Sequence, residues 1–198
     1  MIILSLREKK VAKRKKDLLM SAIAIIGEKG YHSTTMEEIA SKLLMTKGSI
    51  YYYFKDKQDL VYQSQKILLE QSNENIEEVL SEDLPYDEKL KKVMVVHIEY
   101  LITEQSGFVM GTNPEQFFSG KQLETILMLR DRYGNYIKQL IAEGVKEGVF
   151  TEVDEKIVRN IILGAMNWVV TWYSPNGPMD KTTLAKSISN YLLKIVLK

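Results

Sequence analysis

The chain has 198 residues, 45% of them hydrophobic and 27% charged, with a formal net charge of +1. That length suffices for one large core or two small ones, and the absence of cysteine excludes a disulfide framework, a thiolate metal site and a cysteine nucleophile. The charge is unevenly spread: residues 1–60 hold 12 Lys and Arg against 7 Asp and Glu, residues 61–198 hold 15 against 19, so the N-terminal part alone suits a polyanionic partner.

In chain order, Met1-Ile2-Ile3-Leu4 is apolar but runs into charge, the reverse of a secretory signal. The basic run from Arg7 to Lys16, ending in Lys13-Arg14-Lys15-Lys16, reads as a flexible arm feeding a first helix over Leu18, Leu19, Ala22, Ile23 and Ile26. Thr34 with Glu37, or Thr35 with Glu38, forms a capping box that starts a short helix over Met36, Ile39, Ala40 and Leu43. Thr46 caps the next, which opens on Lys47, Gly48 and Ser49 and continues through Ile50 into Tyr51, Tyr52, Tyr53 and Phe54. Two short helices joined by a tight turn, the second led by small and polar groups and flanked by phenols, describe a unit that reads the major groove of DNA.

Asp56 caps a fourth helix that runs from Leu60 as far as Leu80, a length suited to a connector that transmits motion between domains. After Leu84-Pro85, helical spacing resumes from Leu90 to Leu101. Gly107, Asn113, Pro114 and Gly120 then mark an irregular stretch. Leu123 to Glu147 is a helix stopped by Gly148, Asp154 caps one reaching Tyr173, and Asp180 caps the last. The Ser174 to Pro178 loop makes those final two antiparallel neighbours, and Ile161 to Tyr173 is apolar nearly all round, so a second subunit is its natural cover, with Ile188 and Leu192 the test positions if they face it. Period-2 alternation is missing, so the fold is all-α, divided into a DNA-binding domain over 1–57 and a helical effector-binding and dimerisation domain over 58–198.

The ordered set Thr34, Thr35, Ile39, Ala40, Gly48, Ser49, Ile50, Tyr51, Phe54, Lys57 and Leu60 resembles the N-terminal pattern of the TetR family of bacterial and archaeal transcriptional regulators. The resemblance implies roughly nine helices and a homodimer built as a four-helix bundle from the last two helices of each subunit. Residue by residue it implies DNA contacts by Thr35, Thr46, Lys47, Ser49, Tyr51, Tyr52, Tyr53 and Lys57, with Lys57 and Tyr51 on phosphates and Lys47, Ser49, Tyr52 and Tyr53 at base edges. One position departs from the pattern. Where the family turn carries Ala-Gly-Val this chain has Leu43, Leu44 and Met45, so the turn either avoids positive φ or is strained.

An apolar effector pocket is expected in the second domain, lined by Tyr100, Phe117, Phe118, Tyr133, Met166, Trp168 and Trp172, with His97, Asn167, Arg130 and Arg132 as candidate polar anchors. Aromatic and Met residues at helical spacing are more often core than ligand contacts, so the argument rests on the set. The segment from Asn167-Trp168 to Gly177-Pro178 resembles the C-terminal domain of TetR-type regulators of lipid and steroid degradation, some of which bind acyl-CoA thioesters, which points to an acyl-CoA or similar amphiphile. A planar cationic or aromatic compound is the rival ligand.

His97 lies two residues from Glu99, the wrong spacing for one helix face, so neither a metal pair nor a catalytic dyad is encoded locally, and no Gly-rich phosphate loop or nucleophile motif occurs. No catalytic residue, metal or cofactor is therefore expected. The reading is a cytoplasmic, dimeric, ligand-responsive regulator, a repressor released from a palindromic operator by its effector. The rival from another class is an all-α enzyme or ligand carrier with a vestigial helix-turn-helix.

Overall fold

The computed structural model describes residues 6–110 and 113–197, so the apolar Met1-Ile2-Ile3-Leu4 start lies outside the described residues. Those residues form nine α-helices and no strand: α1 (Leu6–Lys29), α2 (Met36–Lys42), α3 (Lys47–Tyr53), α4 (Lys57–Leu80), α5 (Tyr86–Thr103), α6 (Gln105–Met110), α7 (Gly120–Lys146), α8 (Glu155–Trp172) and α9 (Lys181–Leu193), with a single 3₁₀ turn at Pro114–Gln116. By internal contacts they fall into two compact units, one holding residues through Leu68 together with Ser106–Ile126, the other Leu69–Gln105 together with Leu127 onward. The expected boundary at 57/58 does not coincide with this division, because the first unit keeps α4 as far as Leu68 and regains Ser106–Ile126.

In the first unit, α1 buries Leu19, Ala22, Ile23 and Ile26, the i, i+3, i+4, i+7 stripe that a helix presents to a core. Gly30, at φ +88, ends it. The basic run expected to be a flexible arm is instead part of α1. Lys and Arg are good helix formers and no Gly or Pro interrupts the segment, so the helix continues through it.

Both sequence-read caps of the reading hairpin form, with the Thr35 hydroxyl accepting from Glu38 N and the Thr46 hydroxyl from Ser49 N at 3.1 Å. The capping box is half made. Glu38 turns to Lys29 instead of reaching back. Thr34, fully buried, donates to Gly30 O at 2.9 Å.

Helix α2 ends in a Schellman motif, with Met45 N donating to Ala40 O at 2.8 Å and Leu44 N to Ser41 O at 3.1 Å. Leu44 therefore occupies the left-handed position, at φ +54, where glycine is usual, and of the two outcomes open for this turn the strained one obtains. A β-carbon there costs about 1–2 kcal/mol. Asp56 caps α4 by accepting from Asp59 N at 2.7 Å.

The second unit is built on Ile76, Val79, Leu90, Met94, Ile98, Ile137, Ile141, Ile162, Met166 and Val196, with α5 packed against α8 and α9. Asp154 caps α8 through Ile157 N, and Asp180 caps α9 through Thr182 N and Thr183 N. Gly144 lies so close to Phe150 that a β-carbon would sit 2.2 Å from the ring, which makes the α7 glycine the seat of a fully buried aromatic. Thr182 Oγ1 donates to Glu99 Oε1 at 2.5 Å and fastens α9 to α5.

The outer face of α8 is apolar and uncovered. Ile157, Ile161, Trp168 and Trp172 recur at helical spacing and all are exposed, as are Tyr191 and Ile195 of the α9 segment. Ile188 and Leu192 instead belong to the unit's own core, Leu192 being buried, so they are not the positions that present a free face. Among the described residues no helix is long and apolar enough to cross a membrane.

Candidate nucleic-acid interface and effector residues

The hairpin of α2 and α3 brings most of the expected DNA-binding residues onto one surface. Thr46, Lys47, Gly48 and Ser49 are exposed along the first turn of α3, and Tyr51 and Tyr52 follow, Tyr52 with 83% of its surface free. Lys47 pairs with Glu37 of α2 at 2.7 Å and stands 5.9 Å from the Tyr51 ring centre. The hydrogen bond to Lys47 holds the Glu37 carboxyl below its usual range, and the same contact raises the lysine. On meeting a phosphate or a base edge, Lys47 exchanges one exposed partner for another, which costs little.

Ser49 Oγ and Thr46 Oγ1 lie 2.8 Å apart, so these hydroxyls orient each other at the helix start. Tyr53 is partly covered and packs edge-on against Tyr52 at 5.2 Å.

Lys57 departs from this picture. Its ammonium donates to the carbonyls of Tyr31 and Thr34, the latter at 2.6 Å, and lies 4.3 Å from the Tyr31 ring centre. It ties the α1–α2 connection to the start of α4, with one of three N–H donors beyond those two bonds.

In the second unit, His97 of α5 stands between Tyr133 of α7 and Asn167 of α8. Its Nδ1 is 2.8 Å from the Tyr133 hydroxyl and its Nε2 is 3.1 Å from Asn167 Oδ1. Asn167 presents an acceptor, so Nε2 carries the ring proton and the Tyr133 hydroxyl donates to Nδ1. Desolvation by burial pushes the imidazole down to about 4, against the smaller opposing effect of the Asn167 bond, and burial likewise raises the Tyr133 phenol. The result is a neutral hydrogen-bonded chain across three helices, on an otherwise apolar core that includes Met166. Half-buried Tyr100 has its phenol raised by burial, then by Glu104 and Glu74.

Residues 18–63 match the profile of bacterial regulatory proteins of the tetR family, and residues 83–196, more than half of the chain, match that of the tetracyclin repressor-like C-terminal domain. The chain belongs to the TetR family.

It is similar to the fatty acid metabolism regulator protein of Bacillus subtilis, with 28% identity over 89% of this chain and 92% of that one. Among solved structures it resembles the TetR-family regulator PfmR of Thermus thermophilus, at TM-score 0.83 and 27% identity over 89% of this chain and 97% of that one. It also resembles the fatty acid degradation regulator FadR of Bacillus halodurans, at TM-score 0.73 and 28% identity over 90% and 94%.

Within this TetR-family chain the expected effector set divides. His97, Tyr133, Asn167 and Met166 gather in the second unit, with Tyr100 on the same helix as His97. Phe117 and Phe118 are counted with other residues. They belong to the first unit, where Phe117 packs edge-on to Tyr31 at 5.2 Å and Phe118 to Tyr62 at 5.8 Å, because the chain has returned to that unit by residue 106. Trp168 and Trp172 also stand apart, 66% and 51% exposed on the outer face of α8.

Sequence reasoning misses Asn73. It is buried in α4, its amide nitrogen donates to Leu69 O at 2.8 Å and Leu129 O at 3.1 Å, and its Oδ1 has no partner among the described residues. A lone Asn on the apolar stripe of Leu69 and Ile76 is the signal that could have found it.

Proposed function

We propose that this TetR-family regulator is a dimeric repressor, released from a palindromic operator when an apolar or amphipathic effector such as an acyl-CoA binds in its second unit. The observation that carries the effector site is the neutral Tyr133–His97–Asn167 chain, which offers oriented polar groups on an apolar surface and no buried charge. Tyr100, on the helix of His97, and Met166, beside Asn167, complete the site. The similarity to two regulators of fatty acid metabolism and degradation supports an acyl-chain effector. Lys47, Ser49, Tyr51 and Tyr52 face the operator, with Thr35 and Thr46 holding their helices in register. The outer face of α8, with Tyr191 and Ile195, joins the second subunit.

Release requires that the effector bind more tightly to the conformation whose two reading heads are wrongly spaced, and reciprocity demands that the operator weaken the effector by the same factor. The test is to select a duplex from a random pool, then titrate it with protein in the presence of palmitoyl-CoA, free palmitate or a planar cation. Palmitoyl-CoA is expected to lower duplex affinity at micromolar concentration. If none of the three alters it, the effector reading fails while the DNA reading stands.

A further inference from the structure

Leu44 is an apolar side chain held almost wholly in water. It occupies the left-handed position of the α2 Schellman motif at φ +54, where glycine is unstrained and asparagine is tolerated, and 96% of its surface is exposed. Its neighbours Leu43 and Met45 turn partly inward, so the turn already has its apolar anchors. The large apolar side chains exposed in the first unit, among the described residues, are Val11, Leu44, Tyr51 and Tyr52, and three of these lie on the α2–α3 hairpin. A strained backbone that holds a leucine in water beside a DNA-reading helix is accounted for by something the leucine meets only in the complex.

We propose that Leu44 is an apolar DNA contact, packing against a carbon of the operator duplex beside the polar groups of α3: a thymine methyl, where it would also read sequence, or a deoxyribose, where it would only add affinity. This rests on the DNA-binding reading above. The major groove carries such a carbon at every thymine, and Leu44 lies in the turn that leads directly into the helix that enters the groove. Operator contact continues the interface made by Thr46, Lys47 and Ser49. The contact is uncharged, so its share of the affinity is independent of salt, unlike that of the lysines.

The experiment uses the full-length protein and the duplex that the wild type enriches from a random pool, with L44G, L44N and L44M measured at low and at fourfold higher salt. Both L44G and L44N release the backbone and lose the apolar contact, whereas L44M keeps it. Expected are melting temperatures for L44G roughly 2–4 °C above wild type, duplex binding by L44G and L44N weakened about tenfold by the same factor at both salts, and L44M within about twofold of wild type.

Uracil in place of each thymine in turn then locates the carbon. A loss at one position that wild type feels and L44G does not marks a thymine methyl, and no such position marks the sugar. Wild-type affinity retained in L44G or L44N, or a loss in L44M equal to theirs, overturns the proposal. If the wild type enriches no sequence at all, the DNA reading falls and takes this inference with it.

Discussion

Lys57 covers the ring of Tyr31, its ammonium 4.3 Å from the ring centre, while it donates to the carbonyls of Tyr31 and Thr34. The residue expected to hold a phosphate therefore also fixes the loop that carries the α2 cap. Lys57→Ala is expected to lower stability by about 1–2 kcal/mol, through two charge-assisted hydrogen bonds and a cation–π contact. It should also weaken specific and random DNA alike and reduce the salt slope of binding by about one. Urea melts and salt titrations separate the two effects: lost stability with an unchanged slope would confine Lys57 to the loop.

The exposed face of α8 makes the subunit interface testable with surface positions. Ile161→Asp and Tyr191→Asp should leave the far-ultraviolet spectrum of the monomer unchanged, since both side chains are exposed in the single chain. In a dimer each would bury an unpaired carboxylate, costing several kcal/mol of association. Sedimentation should then find monomers, and a subunit count unaltered by either change would move the interface elsewhere.

His97 sets a pH dependence whose sign follows from its depressed pKa. Between its ordinary value of 6.5 and about 4, the unfolded imidazole takes up a proton that the folded one does not, so the unfolded state binds more protons and stability falls as the pH drops through that window. With allowance for its partial exposure, the loss from pH 7 to pH 5 is on the order of 1–2 kcal/mol. His97→Gln should show a correspondingly smaller loss in denaturant titrations at the two pH values, and identical losses would contradict the assignment.

Gly144 has room for no side chain, because the Phe150 ring fills the space a methyl would need. Gly144→Ala gains helix propensity but must displace a fully buried ring, and overpacking of this kind costs about 1–3 kcal/mol. A lower melting temperature is expected, and a rise would mean that the ring moves freely.

Much of this architecture is legible in the residues. Thr35, Thr46, Asp56, Asp154 and Asp180 announce five helix starts, because capping is local chemistry with short spacings. The same locality explains what the residues do not show. Phe117 and Phe118 are close in sequence to the second unit, and only the tertiary return of the chain brings them to Tyr31 and Tyr62. Trp168 and Trp172 resemble pocket linings in the sequence, since hydrophobicity alone does not say which side of an apolar helix meets its own core. His97 stands out in the sequence as one of two histidines, but its bonds to Tyr133 and Asn167 span 36 and 70 residues and no spacing rule reaches that far.

The continuity of α1 has a thermodynamic corollary. Helical from Leu6 to Lys29, it extends about 36 Å at 1.5 Å per residue, so Lys13, Arg14 and Lys16 are carried on a rod instead of a tether. A tether must be ordered when it meets DNA, which would appear as an entropic penalty and a large negative heat-capacity change. A rod has already met that cost during folding. Its cations act as a unit at fixed spacing, and calorimetry of DNA binding by the intact chain should find their contribution in the ionic-strength dependence alone, with no heat-capacity signature of its own.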